Sequence, residues 1–447
     1  MFGVIHRFCR LVPAVFTLVA SAAQGQNLMS ALPEHTDTLT TPVVTQATAA
    51  DLSLRKAVSL TLKLNPELAA AAKEMGALEG VVQQVDLLRN PELDIETEDI
   101  GASRAGGLQR FTTIRLSQVI ELGGKRQART RVAALAQDIA GQDYAAKRLA
   151  VLARVANLFT DVLAAQERTR LSAEGVQLAE TVATAVGKRV LAGKAPPIEE
   201  TKSRLTLSSA RIELVQAQRE LTATRKQLSL LWGDAEPLFN RALGDMATTV
   251  TLPSLALLEQ RVRDNPLAAR SQKNVAQRQA LLQVEQSKRV PDITLKAGVR
   301  RFSQTGENTS LLGIAIPLPL FDRNHGNLRE AYQRLDQAQD ERAATALRQQ
   351  SELALSYESL LAAQHEIGVL REEILPAAKS AFDVANRGYE LGKFGFLDIL
   401  DAQRTLAQNQ MNYVRALANY QKLVHELERL TAMPLDTRAS TLNTATE

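Results

Sequence analysis

A short stretch near the end of the chain, "YELGKFGFLDILDAQRTL" (residues 389–406), groups the side chains best suited to ion chemistry. Asp398 and Asp401 stand three residues apart behind two glycines, Gly392 and Gly395, with Tyr389 and Lys393 beside them. The glycines break an otherwise helical sequence: Gly392 permits the left-handed conformation that ends a helix, and Gly395 a tight turn. A helix restarting near Leu397 carries both carboxylates on one face. Two roles are open to the pair. They can settle a helix N-terminus, whose dipole attracts carboxylates. They can also line an aperture, where rings of acidic side chains select cations.

Other chemistry has little to work with. His35, His325, His365 and His425 are scattered, and "HEIGV" at 365–369 lacks the second histidine of a zinc-binding HExxH helix. "GALEG" and "LGGKR" contain glycines without the spacing of a phosphate-binding loop. Glu96, Glu98 and Asp99 form a short acidic run that reads as a lumen or rim face rather than a metal cage. Trp232, the single tryptophan, reads as packing where the two repeats described below are joined. The reading is a protein that is not an enzyme, with no catalytic residues, no metal site and no cofactor. A formal net charge of +4, without a basic stripe interleaved with aromatics, argues against a nucleic-acid partner.

The segments around this stretch suggest a secreted chain. Residues 1–25 read as a signal peptide. Arg7 and Arg10 form a basic start, "LVPAVFTLVASAA" is too short to span a bilayer, and small residues follow. Its removal leaves a net charge near +2 and takes away Cys9, the single cysteine. The mature chain then has no disulfide framework. Residues 26–51 and 434–447 read as flexible ends. No later apolar run reaches the length of a membrane helix, roughly 18 residues. A soluble protein and a β-barrel both remain open.

Between the ends the chain repeats itself. "LNPEL" at 64–68 recurs as "DNPLA" at 264–268, "LRNPELDI" at 88–95 as "KRVPDITL" at 288–295, and "IRLSQVI" at 114–120 as "IAIPLPL" at 314–320. "LAGKAPPIEE" at 191–200 matches "ELGKFGFLDI" at 390–399, which brings Gly193 and Glu199 level with the glycine break of the second copy. The expected organisation is a first repeat at 52–232, a linker at 233–251 and a second repeat at 252–433. Each repeat reads as a short helix, Asn-Pro, a second helix (66–88; 266–288), two extended segments, a very long helix (125–191; 327–391), and a returning helix (198–231; 397–430). Leu406, Gln410, Tyr413, Leu417, Tyr420, Val424 and Leu427 keep the heptad spacing of coiled coils, as do Leu207, Leu214, Leu221 and Leu228.

The extended segments, 91–100, 111–120, 291–302 and 311–320, alternate apolar and polar residues over the length of a tilted membrane strand. Ile314 and Ile316 are expected to face lipid. Four strands cannot close a barrel, and lipid does not tolerate open edges, so several copies are required. Three copies give about twelve strands, enough for a wide lumen. A soluble periplasmic coiled-coil adaptor or scaffold is the contrasting reading, although such proteins rarely carry two equal hairpin halves with matched strands.

The whole arrangement resembles the TolC family of outer membrane efflux channels. "RNPELDIE", "SQVIELGGKR" and "IPLPLFDRNHGN" look most like the outer membrane components of cobalt–zinc–cadmium and related heavy-metal efflux systems. The resemblance implies a mainly α fold with a small β part: a homotrimer whose β-barrel crosses the outer membrane and continues into a periplasmic α-helical tunnel. It implies a periplasmic adaptor and an inner-membrane resistance–nodulation–division pump as partners. It places Asp398 and Asp401 on pore-facing positions and Tyr389 on a tyrosine that bonds a neighbouring hairpin. Lys393 lies close to a gating arginine, and Glu199 replaces the aspartate that receives the tyrosine. It places Gly193, Gly392 and Gly395 on tips that dock the adaptor. The function implied is a passive exit duct for heavy-metal cations, with multidrug or protein export as the alternative cargo.

Overall fold

The computed structural model describes residues 50–98 and 110–435. The signal peptide, nearly all of the N-terminal segment, Asp99 and the C-terminal tail beyond 435 lie outside the described residues. The first repeat runs β1 (Ala50–Ser53), α1 (Leu54–Leu64), α2 (Pro66–Asp86), β2 (Glu92–Glu98), β3 (Phe111–Ile120), α3 (Lys125–Leu191) and α4 (Pro197–Ser229). A 3₁₀ turn, Leu230–Trp232, closes it, and the linker contributes β4 (Phe239–Leu243). The second runs α5 (Leu255–Arg263), α6 (Pro266–Ser287), β5 (Ile293–Phe302), β6 (Asn308–Ala315), α7 (His325–Val369), α8 (Leu375–Glu390) and α9 (Phe396–Thr431).

The repeated Asn-Pro pairs explain the helix starts. The Asn65 side chain accepts from Leu68 N–H at 3.1 Å and that of Asn265 from Ala268 N–H at 2.8 Å. Pro66 and Pro266 sit at the first helical position, where no N–H is needed. Each asparagine also donates to the far end of its own repeat: Asn65 to Leu231 O at 2.8 Å, Asn265 to Leu430 O at 3.0 Å. One buried residue type therefore caps a helix and ties each repeat shut.

At 67 residues, α3 is about 100 Å long and extends well beyond a single compact core. Its middle is apolar enough to pass for a membrane span by composition. Those side chains are instead core: Val151, Leu152, Val155, Phe159 and Val162 pack with Leu52, Val58, Phe239 and Trp232. A matching core joins Leu258, Leu353, Leu360, Tyr420, Val424 and Leu427. The linker is more ordered than its polar composition suggests, because β4 pairs in parallel with β1. Trp232 packs there, its Nε1 donating to Asp234 at 2.6 Å.

His425 joins α9 to α3, its Nδ1 3.1 Å from Asn157 Oδ1, and burial pushes its pKa down to about 4. Its folded value lies below the unfolded one. The protein therefore keeps this stability above about pH 6.5 and loses it as pH falls towards 4, by up to about 3 kcal/mol. Denaturant melts at pH 7 and pH 4.5 should show the loss in the wild type and a smaller one in His425→Gln. Equal losses would remove His425 as the cause.

Two expectations need correction. The long helix of the second repeat is interrupted by a π-turn at Leu370–Ile374. Pro376 follows, and proline inside a helix removes one backbone hydrogen bond and crowds the preceding turn. Widening that turn accommodates the ring without a break. The last strand is β6, 308–315, rather than 311–320. Pro317 and Pro319 lack the N–H a ladder needs, so pairing stops at Ala315. Ile316 therefore lies outside the sheet, and Leu312 takes its place beside Ile314.

The sheet is antiparallel throughout, in the order β2-β3-β5-β6. Register aligns its faces: Leu93 pairs with Leu116, Leu116 with Ala297, Ala297 with Leu312, while Ile95, Ile114 and Val299 form the next row. This face is exposed and apolar, with Leu312 at 87% and Ile314 at 69%. The other face is polar. Glu96 pairs with Arg115 at 3.4 Å, Ser117 donates to Asp94 at 3.3 Å, and Arg300 donates to Thr113 at 3.1 Å. One apolar face, one polar face and two unpaired edges are the pattern of a barrel segment.

Candidate functional site at the hairpin tips

The ends of the helices remote from the sheet form two tips. Each long helix stops by the same device. Lys194 N–H bonds to Arg189 O at 2.8 Å and Gly193 N–H to Val190 O at 3.0 Å; Lys393 N–H bonds to Gly388 O at 2.7 Å and Gly392 N–H to Tyr389 O at 3.0 Å. This pair of bonds needs a left-handed residue after the helix, and Gly193 (φ 67°) and Gly392 (φ 74°) supply it. Gly395 does not make the expected glycine-dependent turn. Its φ of −79° is open to any residue, and it is the N-cap of α9. A further glycine is called for at Gly388, where a Cβ would overlap the Phe394 ring that folds back over it.

Tyr389 and Glu199 meet. The Tyr389 hydroxyl donates to Glu199 Oε2 at 3.1 Å, joining the second tip to the first within one chain. The tyrosine is buried among Val182, Val186, Phe382, Phe396, Ile399 and Leu400. Burial first, then the Glu199 bond, pushes its pKa up to about 12, so the hydroxyl keeps its proton near neutrality. Arg189 completes the contact. Its guanidinium lies 4.3 Å from the Tyr389 ring centroid and donates to the Tyr389 carbonyl. Sequence reasoning missed Arg189. The only signal was its place in the last turn of α3, 200 residues before Tyr389.

Asp398 and Asp401 are both exposed on the first turns of α9. Asp398 accepts from Gly395 N–H at 2.8 Å, so it caps the helix start. Asp401 lies one turn further along the same face. Lys393 is exposed on the turn itself. The arrangement offers a hydroxyl–carboxylate link beneath a surface carrying two carboxylates. Exposed leucines flank it, Leu191 at 90% and Leu391 at 72%. Among the described residues no cluster of His, Cys, Asp and Glu is arranged to hold a metal.

Comparison with known proteins follows the two repeats. A family model described as outer membrane efflux protein matches residues 57–234 and 257–432. The cobalt-zinc-cadmium resistance protein CzcC of Cupriavidus metallidurans is 37% identical over 395 residues, 88% of this chain and 93% of that protein. The nickel-cobalt-cadmium resistance protein NccC of Alcaligenes xylosoxydans xylosoxydans is 27% identical over 62% of this chain and 63% of its own. The crystal structure of CusC superposes with a TM-score of 0.74 at 18% identity, covering 86% of this chain and 93% of the other.

Proposed function

The chain belongs to the outer membrane efflux protein family, and on that premise we propose that it is the exit duct of a tripartite efflux system for heavy-metal cations such as cobalt, zinc and cadmium. The observation that carries the cargo is the 37% identity to a cobalt-zinc-cadmium resistance protein over nearly the whole of both chains. The duct is passive: a periplasmic adaptor and an inner-membrane resistance–nodulation–division pump supply energy and selection. The family and the paired hairpin halves speak against an adaptor or scaffold.

The assembly is a homotrimer in the outer membrane, with its helices in the periplasm. β6 runs antiparallel to β2 of the next copy, which closes twelve strands and leaves no edge in lipid. The exposed leucines and the Gly193 and Gly392 turns at the tips form the surface that meets the adaptor. The tips form the resting constriction, with the Tyr389–Glu199 bond holding it and Asp398 and Asp401 drawing cations to it.

Two experiments test this. A strain lacking the gene should become sensitive to cobalt, zinc or cadmium, while drug tolerance stays near wild type; sensitivity to drugs alone would transfer the cargo to multidrug export. In planar bilayers, Asp398→Asn with Asp401→Asn keeps the helix cap but removes charge, and should lower cation preference several-fold. Unchanged selectivity would leave both aspartates as helix-start residues.

A further inference from the structure

The two tips share the course of their backbone, and among their differences is one backbone N–H. In the second tip, Gly395 is the N-cap of α9 in extended conformation (φ −79°, ψ 163°), and Asp398, three residues on, takes its N–H at 2.8 Å. In the first tip, Pro196 is the N-cap of α4 in nearly the same conformation (φ −67°, ψ 144°), and Glu199 holds the position of Asp398. A glutamate three residues after an N-cap ordinarily reaches back to the N-cap N–H. Pro196 has none. Glu199 still donates its own N–H to Pro196 O at 3.0 Å, so the first turn is intact, but its carboxylate has no N-cap N–H to return to. It extends to the other tip, where the Tyr389 hydroxyl meets it at 3.1 Å.

We propose that Pro196 is a positioning residue of the closed tip: by lacking an N–H it denies Glu199 the capping role and commits that carboxylate to Tyr389. The proposal rests on the reading of the tips as the resting constriction. It explains why two N-caps with matching backbone angles send their carboxylates different ways. A proline also stiffens the tip by fixing φ, and the proposal gives Pro196 a second role beside that one.

Restoring the N–H separates the two roles. Pro196→Ala and Pro196→Gly should each let Glu199 fold back as Asp398 does, and each should raise resting conductance of purified channels in planar bilayers several-fold. Tyr389→Phe should raise it comparably, and Pro196→Ala combined with Tyr389→Phe should leak no more than Tyr389→Phe alone, because both remove the same bond. In hydrogen exchange, the new amide at 196 should be protected in Pro196→Ala. A leaky Tyr389→Phe beside a tight Pro196→Ala would overturn the role of Pro196 and leave the constriction standing. Additive leaks, or a rapidly exchanging amide at 196, would also overturn it, reducing Pro196 to a stiffener. A tight Tyr389→Phe would sink the constriction itself.

Discussion

Arginine at both Leu312 and Ile314 is expected to abolish assembly in the outer membrane, whereas arginine at Leu311 is expected to be tolerated. Leu312 and Ile314 lie on the exposed apolar face of β6, and their register partners Ala297 and Leu295 continue that face across β5. Leu311 points the other way, opposite Gly298, on the face that holds Arg115, Lys296 and Arg300. A lipid-facing arginine near the middle of a barrel strand costs about 2–4 kcal/mol, so the pair costs about 4–8 kcal/mol per chain. In the homotrimer proposed above, three chains per barrel would multiply that cost, which is comparable to the whole stability of an ordinary domain. Heat-stable oligomers on gels, with membrane fractionation, read the outcome. Normal assembly of Leu312→Arg with Ile314→Arg would mean that this face does not meet lipid. Failure of Leu311→Arg would mean that the two faces are not distinguished.

The choice of that pair shows what the sequence could and could not convey. Alternation alone located the strands, because a period of two survives without knowledge of partners. It could not end β6, since "IPLPL" keeps alternating after Pro317 has removed the ladder N–H. The Asn-Pro pairs placed the starts of α2 and α6, and the glycine break placed the end of α3. They could not foresee the π-turn before Pro376, because a long helix has more than one way to absorb a proline. The tip divides in the same manner. Gly193 and Gly392 were legible because a left-handed residue after a helix strongly favours glycine. The bond between Tyr389 and Glu199 spans 190 residues of chain and came through family resemblance, not through spacing. Arg189 had neither signal. The demand for glycine fell on Gly388 rather than Gly395, because it comes from the Phe394 ring packing against it, and packing across a turn leaves no periodicity.

The same limit hides the corner where strand becomes tunnel, and the second large effect is expected there. Glu121 follows β3 directly. Its side chain is 5% exposed, accepts from Arg129 through both oxygens at 2.7 and 3.0 Å, and lies 3.4 Å from Arg89. Gly123 and Gly124 then turn the chain with φ near +70°, and a Cβ on Gly123 would stand 2.9 Å from Val290 Cβ. Lys125, the first residue of α3, binds Asp292 at 2.5 Å, and Leu122 N–H donates to the same carboxylate at 3.2 Å. The corner of the first repeat is thus locked onto the corner of the second. Removing one partner of a buried ion pair costs about 3–5 kcal/mol; the partial exposure of Arg129 favours the lower end for Glu121→Ala. Arg129 holds the Glu121 carboxyl below its ordinary pKa. Its stabilisation is therefore complete above about pH 4.5 and is lost as pH falls through the lower folded value. Denaturant unfolding of detergent-solubilised protein should show Glu121→Ala destabilised at pH 7, with the gap to wild type narrowing at lower pH. A difference under about 0.5 kcal/mol at pH 7, the size of an ordinary surface substitution, would show that the corner is held by its glycines and by Lys125–Asp292 instead.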